Sequence, residues 1–207
     1  MRTVTATAEG SSQGTPDQLT ARLGISNTGA SAGAVMADNN RLAQALIARV
    51  AELGIADDDV ATSSVDIHPE HDRDAKQVGY RANNMLSVRF RDLEAVGEKL
   101  DALVDAAGDS IRIDGISLGF NDPEALLSAA RIDAVRRARV QADEMAQAAG
   151  ASVGDVVLIT DDLNTGGGFE PRVAFAAGAR SVAKASVPIA AGSQELTVKV
   201  RVVFELT

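Results

Sequence analysis

The residues best suited to metal chemistry lie in one short stretch, His68-Pro69-Glu70-His71-Asp72. Zinc takes three or four imidazole, thiolate or carboxylate ligands in a tetrahedral array, so the candidate ligands are His68, Glu70 and His71. The helical His-x-x-Glu-His pattern needs one more residue between the histidines, and Pro69 is incompatible with a helix interior. The stretch therefore favours a solvated hairpin loop over a metal site.

Arginines are concentrated between residues 131 and 139, where they could form either ion pairs or an anion site. Asp133 lies four residues before Arg137, and Asp143 lies four residues after Arg139, so ion pairs along a solvent-facing helix explain most of them. Gly166-Gly167-Gly168 lacks the Lys-Ser/Thr that follows a phosphate-binding loop. The motifs provide no catalytic residue and no cofactor-binding residue, so we expect no cofactor and no enzymatic activity.

Composition narrows the class of protein further. The net charge of −9 over 207 residues argues against nucleic acid or an anionic membrane surface as a partner. Cysteine is absent, which excludes disulfides, thiolate metal sites and cysteine nucleophiles within this chain. No apolar run reaches the length of a transmembrane helix. The few aromatic residues, 3% of the chain, predict an aliphatic core.

The longest predicted element is a helix from Asp122 to Gly150. Asp122 can cap its first turn, and Gly150 can adopt the left-handed conformation that often ends a helix. One face carries small side chains at helical spacing: Leu127, Ala130, Ala134, Ala138, Ala142, Met145 and Ala149. Because alanine lets a neighbouring backbone come close, we expect this helix to lie flat on a sheet.

Periodicity predicts two more helices, at 31–53 and 92–107, and seven strands. The strands are expected at 3–8, 19–25, 60–67, 80–90, 111–120, 153–159 and 195–206. The first two strands are expected to pair with each other. The uninterrupted apolar run 153–159 is typical of a central, buried strand.

The order of elements predicts an α+β fold with two layers, a mixed and mostly antiparallel sheet, and helices on one face. Strand-helix-strand connections favour parallel neighbours joined by right-handed crossovers. A single domain is expected over 1–207, with two pseudo-repeat halves of β-α-β-β type. The halves span about 1–91 and 108–207, and helix 92–107 joins them.

Residues 165–192 form a Gly- and Ala-rich segment with no clear period. An unstructured connection of that length is uncommon inside a compact domain, so the segment is either flexible or an arm with a task. Its apolar residues favour an arm that reaches a neighbouring subunit. The candidate arm residues are Phe169, Val173, Phe175 and Val182.

Several local motifs, in this order, resemble the SIMPL-domain family, formerly called domain of unknown function 541. They are Pro16-Asp17, Gly54-Ile55 with Asp59-Val60 and Thr62, Gly79-Tyr80-Arg81-Ala82, the Ala129-Ala130-Arg131 to Ala142 stretch with Glu144-Met145-Ala146, and Pro188 with Gly192. The resemblance implies a bacterial periplasmic or cell-envelope protein whose leader has been removed. It also implies a secreted protein, soluble or lipid-anchored, with a tendency to form larger assemblies. A lipidated relative would begin at a cysteine, which this chain lacks. The family brings no established active site.

We therefore expect a non-enzymatic cell-envelope protein that acts by binding or self-assembly, with a second copy or another envelope protein as partner. The alternative is a small-molecule or lipid carrier with a pocket between sheet and helices. A third hypothesis is a metal-dependent hydrolase that uses His68, Glu70 and His71.

Overall fold

The computed structural model describes residues 2–161 and 189–207, and the described part contains three α-helices and seven β-strands. The helices are α1 (Ala32–Glu52), α2 (Val96–Ala107) and α3 (Glu124–Ala148). The strands are β1 (Thr3–Gly14), β2 (Gln18–Gly29), β3 (Val60–His71), β4 (Gln77–Phe90), β5 (Ile111–Gly119), β6 (Val153–Asp161) and β7 (Gln194–Leu206). The predicted α+β class is confirmed. The candidate arm residues Phe169, Val173, Phe175 and Val182 lie outside the described residues.

The described residues divide into two compact units, each with its own sheet. Unit 1 comprises residues 2–16, 122–161 and 192–207, with strand order β1-β7-β6. Unit 2 comprises residues 17–121 and 189–191, with strand order β3-β4-β2-β5. The assignment of 1–207 to one domain with halves at about 1–91 and 108–207 stays a prediction.

The expected parallel neighbours do not occur among the described strands, where every pairing is antiparallel. In unit 2, β3 turns back into β4, and β4 pairs with both β3 and β2. β2 and β3 therefore run parallel to each other with β4 between them. The short hairpin connection explains this difference, because it lets β4 form directly beside β3 and take the central position.

Unit 1 has the same topology, with β7 between β1 and β6. The repeated motif is therefore β-α-β-β: β1, α3, β6 and β7 in unit 1, and β2, α1, β3 and β4 in unit 2. The predicted pairing of the first strand with the second is wrong, because β1 pairs with β7 and β2 pairs with β4 and β5. Pairing partners so distant in sequence leave no local signal.

In unit 1, α3 packs against β1 and β7 through alanine. Its buried positions are Ala130, Ala134, Ala138, Ala142 and Ala146. A Cβ added to Gly10 of β1 would lie 2.1 Å from the backbone nitrogen of Ala134 and 2.2 Å from the backbone oxygen of Ala130. The expected close, flat packing is confirmed. Met145 is 44% exposed, and Ala146 occupies the buried position instead, one helical turn after Ala142.

In unit 2, α1 and α2 bury one side of the sheet with branched aliphatic residues. The largest buried side chains include Leu19, Leu23, Ile25, Leu46, Leu86, Leu100 and Leu103. Helix α1 begins where the Ser31 hydroxyl accepts a hydrogen bond from the backbone N–H of Ala34. Helix α2 begins later than predicted, because the Asp92 carboxylate accepts hydrogen bonds from the backbone of Glu94 and Ala95 in a preceding turn.

Candidate functional site

The candidate metal ligands lie on β3 of unit 2, and two of them, His68 and Glu70, have other polar partners. Nδ1 of His68 is 3.2 Å from Oδ1 of Asp66, and Glu70 accepts two hydrogen bonds from the Arg81 guanidinium, one of them 2.9 Å long. The strand continues through Pro69 to His71, where a polar loop was predicted, because β3 is an edge strand and tolerates a missing backbone donor. Residues 2–161 and 189–207 contain no group of three His, Asp or Glu side chains placed to hold a metal.

Asp59 forms the most enclosed ion pair of unit 2. Its side chain is only 6% exposed and accepts bonds of 2.7 and 2.8 Å from Nε and a terminal nitrogen of Arg91, with Arg89 at 3.5 Å. The hydrogen bonding from Arg91 lowers the pKa of Asp59, outweighing the opposing effect of burial. Arg91 also donates to the side chain of Asn121. The cluster connects the turn before β3 with the end of β4. In the sequence, Asp59 was recognisable only as part of an acidic turn.

The arginines of α3 form the ion pairs that their spacing predicted. Nε of Arg137 lies 2.7 Å from Asp133, and Nε of Arg139 lies 3.4 Å from Asp143. A hydrogen bond from Arg136 lowers the pKa of Asp133, and the backbone N–H of Ser11 on β1 also donates to this carboxylate. These contacts pair acidic side chains of α3 with arginines of the same helix.

Unit 2 contains a cleft of about 250 Å³ between α1 and the β3 side of the sheet. Its lining is mainly aliphatic, with one hydroxyl and one carboxylate: Ile47, Val50, Ala51, Ile55, Asp57, Val60, Thr62 and Leu86. Small-molecule pockets typically measure roughly 300–1,000 Å³, so this cleft is smaller than most of them. It lies where the carrier hypothesis expects a pocket.

Strand β6 of unit 1 exposes four consecutive aliphatic side chains. Val156 is 48% exposed, Val157 44%, Leu158 55% and Ile159 49%. The predicted central position of this strand is wrong: among the described strands β6 pairs only with β7, at the edge of the sheet. A continuous apolar run does not distinguish a buried strand from an edge strand, and α3 packs mainly over β1 and β7.

Arginines of α3 hold both ends of β6. Nε of Arg131 donates to Asp161 at 3.0 Å, and Arg139 donates to the backbone oxygens of Gly154 and Val153 at 3.0 and 3.1 Å. The Arg139 guanidinium also lies 5.2 Å from the ring centroid of Phe204 on β7. The exposed residues 156–159, which form the β6 edge, lie between these two anchored ends of the strand.

These features define an α+β protein with two β-α-β-β units and an exposed aliphatic strand edge. Residues 4–204 match the SIMPL family model, whose description is "Protein of unknown function (DUF541)", and the chain belongs to this family. The earlier resemblance is thereby confirmed.

The chain is similar to several bacterial proteins. It is 31% identical over 222 residues to the 26 kDa periplasmic immunogenic protein of Brucella abortus (strain S19), an alignment that covers 98% of this chain and 84% of that protein. Its counterpart in Brucella melitensis biotype 1 is 30% identical with the same coverage. The uncharacterized protein YggE of Escherichia coli (strain K12) is 32% identical over 108 residues, 51% of this chain and 43% of that protein.

None of the helices within residues 2–161 and 189–207 combines the length and the apolar character needed to cross a membrane.

Proposed function

We propose that this protein is a non-enzymatic component of the bacterial cell envelope that acts by binding, chiefly to further copies of itself. The location is supported by the Brucella relatives, which are named as periplasmic proteins. The observation that carries the mode of action is the β6 edge, with four neighbouring aliphatic side chains about half exposed. Contiguous exposed apolar surface of this kind is typical of interaction sites.

The ionised carboxylates support a binding role over proton-transfer chemistry. A general acid or base works best with a pKa near the working pH. Hydrogen bonds from arginine move the pKa of Asp59 and Asp133 in the opposite direction, below the ordinary value for aspartate. These groups suit the stabilisation of each unit.

The mass of the purified protein in solution tests the proposal. Sedimentation equilibrium and native mass spectrometry should give a multiple of the 21.4 kDa chain mass. The predicted arm is tested in parallel by deleting 165–187, which retains Ile189, a residue packed on the unit 2 core. If the deletion variant forms a smaller assembly than the wild type while its circular dichroism spectrum is unchanged, the result supports an arm that contributes to assembly. A monomer throughout the micromolar range, with no envelope protein cross-linked to it in intact cells, would contradict the proposed function.

A second candidate function is the transport of a small apolar molecule, and the unit 2 cleft favours it. A neutral fluorescent probe, N-phenyl-1-naphthylamine, should bind saturably. Ala51→Phe fills the lining with an aromatic ring and should weaken probe binding by about tenfold, the loss expected when about 1.4 kcal/mol of contact is removed. Ala45→Phe, at an exposed position of α1 outside the lining, is the matched control. Equal binding by both variants would exclude this cleft as the probe site.

A further inference from the structure

The unit 2 cleft combines an apolar floor with a polar rim. Its described lining comes from the end of α1, the turn that follows, the start of β3 and one residue of β4. Val50, Ile55 and Leu86 are between 1% and 8% exposed, so they form the floor. Asp57 and Thr62 are exposed and provide the polar groups of the rim. A ligand of matching polarity therefore has one apolar end and one polar end.

The turn that carries the rim is organised before any ligand arrives. Gly54 adopts a positive φ of 75° and ends α1. The backbone N–H of Asp59 donates to the oxygen of Ala56 at 2.9 Å, which closes a short 3-10 turn over Asp57–Asp59. The Asp59 side chain is in turn bound by Arg91. Because the rim needs little ordering when a ligand binds, this preorganisation favours binding.

The three aspartates of this turn have different surroundings. Hydrogen bonding to Asp59 raises the pKa of Arg91, and the charge of Asp58 adds to this effect. Asp57 forms neither an ion pair nor a side-chain hydrogen bond with any residue of the ranges 2–161 and 189–207. It is also the only charged residue of the described lining. Its carboxylate is therefore available to a cationic group at the mouth of the cleft.

The volume of the cleft sets the size of the apolar end. An engineered apolar cavity of roughly 150 Å³ stays free of water and binds benzene. At about 250 Å³, the unit 2 cleft accommodates an alkyl chain of about six carbons. A lysine side chain would enter with its charged end first and place its ammonium against the aliphatic floor, at a large desolvation cost. A free alkylamine instead enters with its methyl end, and its ammonium stays at the rim.

We infer that the unit 2 cleft binds a short aliphatic primary amine, whose alkyl chain lies on the floor and whose ammonium group lies beside Asp57. The ammonium has three hydrogen-bond donors and no acceptor, which suits the Asp57 carboxylate and the hydroxyl oxygen of Thr62. An alcohol of the same length lacks the charge, and a fatty acid would bring a second carboxylate next to Asp57. This inference rests on the second candidate function and names the class of molecule that would be carried.

The first test compares molecules that share an alkyl chain and differ in the head group. Backbone amide chemical shifts of the isotope-labelled protein are followed by NMR at about pH 7, where an alkylamine is protonated, while n-hexylamine, hexan-1-ol or hexanoate is added. Hexylamine should bind about threefold more tightly than hexanol, the gain typical of a solvent-exposed ion pair, and hexanoate should bind most weakly. From butylamine to hexylamine, each added methylene should tighten binding by about fourfold, because more of the chain is buried on the floor.

The second test removes the charge on the rim. Asp57→Asn should abolish the preference for hexylamine over hexanol and leave the binding of hexanol unchanged. Asp58→Asn is the matched control, because Asp58 is the next residue, is also exposed and does not belong to the described lining. Both variants reduce the net negative charge by the same amount, so non-specific attraction of a cation changes equally in both. Asp58→Asn should therefore keep the preference, and circular dichroism melts establish that both variants are folded.

The outcomes separate the inference from the second candidate function. Equal affinity of the wild type for hexylamine and hexanol, with both weakened by Ala51→Phe, overturns the inference and leaves transport of a small apolar molecule standing. A preference for hexylamine that both asparagine variants reduce equally also overturns the inference, because the net charge then explains it. If neither hexylamine nor hexanol binds saturably, the inference is overturned, and the transport function then depends on the naphthylamine probe. The comparison of head groups on the wild type needs no variant, so it decides even if Asp57→Asn fails to fold.

Discussion

Asp59 shows how a carboxylate in unit 2 is enclosed and yet remains ionised. The two hydrogen bonds from Arg91 match the planar guanidinium to both carboxylate oxygens, and Arg89 adds positive charge. Both arginines keep contact with solvent, at 44% and 51% side-chain exposure. The ion pair therefore stabilises the turn before β3 without the full desolvation of three charges.

Replacing Asp59 with asparagine should destabilise the protein in a pH-dependent way. At neutral pH, Asp59→Asn should lower the free energy of unfolding by about 1–3 kcal/mol, because it removes a charged hydrogen-bond acceptor. The folded-state pKa of Asp59 lies below the unfolded value of roughly 3.9, so the contribution is full above that pH. It is lost as the pH falls through the folded-state pKa. Urea unfolding at about pH 7 and about pH 3 should therefore show a smaller difference between variant and wild type in acid.

Asp58→Asn is the control for this measurement, since Asp58 carries the same charge next to Asp59 but is exposed. It should change the free energy of unfolding by less than about 0.5 kcal/mol. A difference between Asp59→Asn and wild type that stays constant down to acid pH would contradict a role for the ionised carboxylate.

At the scale of elements, the contact between α3 and β1 depends on the absence of side-chain bulk on both sides. The helix presents alanines and the strand presents Ala6, Ala8 and Gly10, so the two backbones approach closely over a long contact. Dense packing of this kind tolerates little added volume. It also sets the position of the arginines that hold β6.

Gly10→Ala tests this contact. The new methyl group would lie about 2 Å from the backbone of Ala130 and Ala134, so α3 must move away. We expect a loss of about 1–3 kcal/mol in the free energy of unfolding, measured with urea. Gly33→Ala in α1 is the control, because nothing lies within 4 Å of its added Cβ. It should be neutral or stabilising by about 0.5–1 kcal/mol, and an equal loss in both variants would refute the close-packing account.

The elements themselves could largely be predicted from the sequence, whereas their partners could not. Helical periodicity located α1 and α3 and alternation located the last strand, because these signals are local, whereas Pro123 and not the predicted Asp122 is the N-cap of α3. The assignment of β1 to β7, and of β6 to a sheet edge, depends on contacts between residues far apart in sequence. The alanine face of α3 predicted that this helix packs closely on a sheet. The sequence pattern did not predict that Val156 and its neighbours are exposed.

At the scale of the whole molecule, the candidate site belongs to a sheet assembled from both ends of the described chain. Thr3 of β1 pairs with Glu205 of β7, whereas β2, α1, β3, β4, α2 and β5 lie consecutively within residues 17–121. The net charge of −9 also belongs to this scale, because the summed field of the molecule acts on every approaching partner.

The pairing of β1 with β7 has a consequence for biosynthesis. Strand β1 is synthesised before β7 and has to wait for it before the backbone hydrogen bonds between them can form, whereas residues 17–121 already contain the described strands and helices of their own unit. Until β7 is available, β1 lacks its partner strand, and other polypeptides could capture it. A chaperone that shields β1 would act during that interval, and a chain truncated before β7 would lack the strand that lies between β1 and β6.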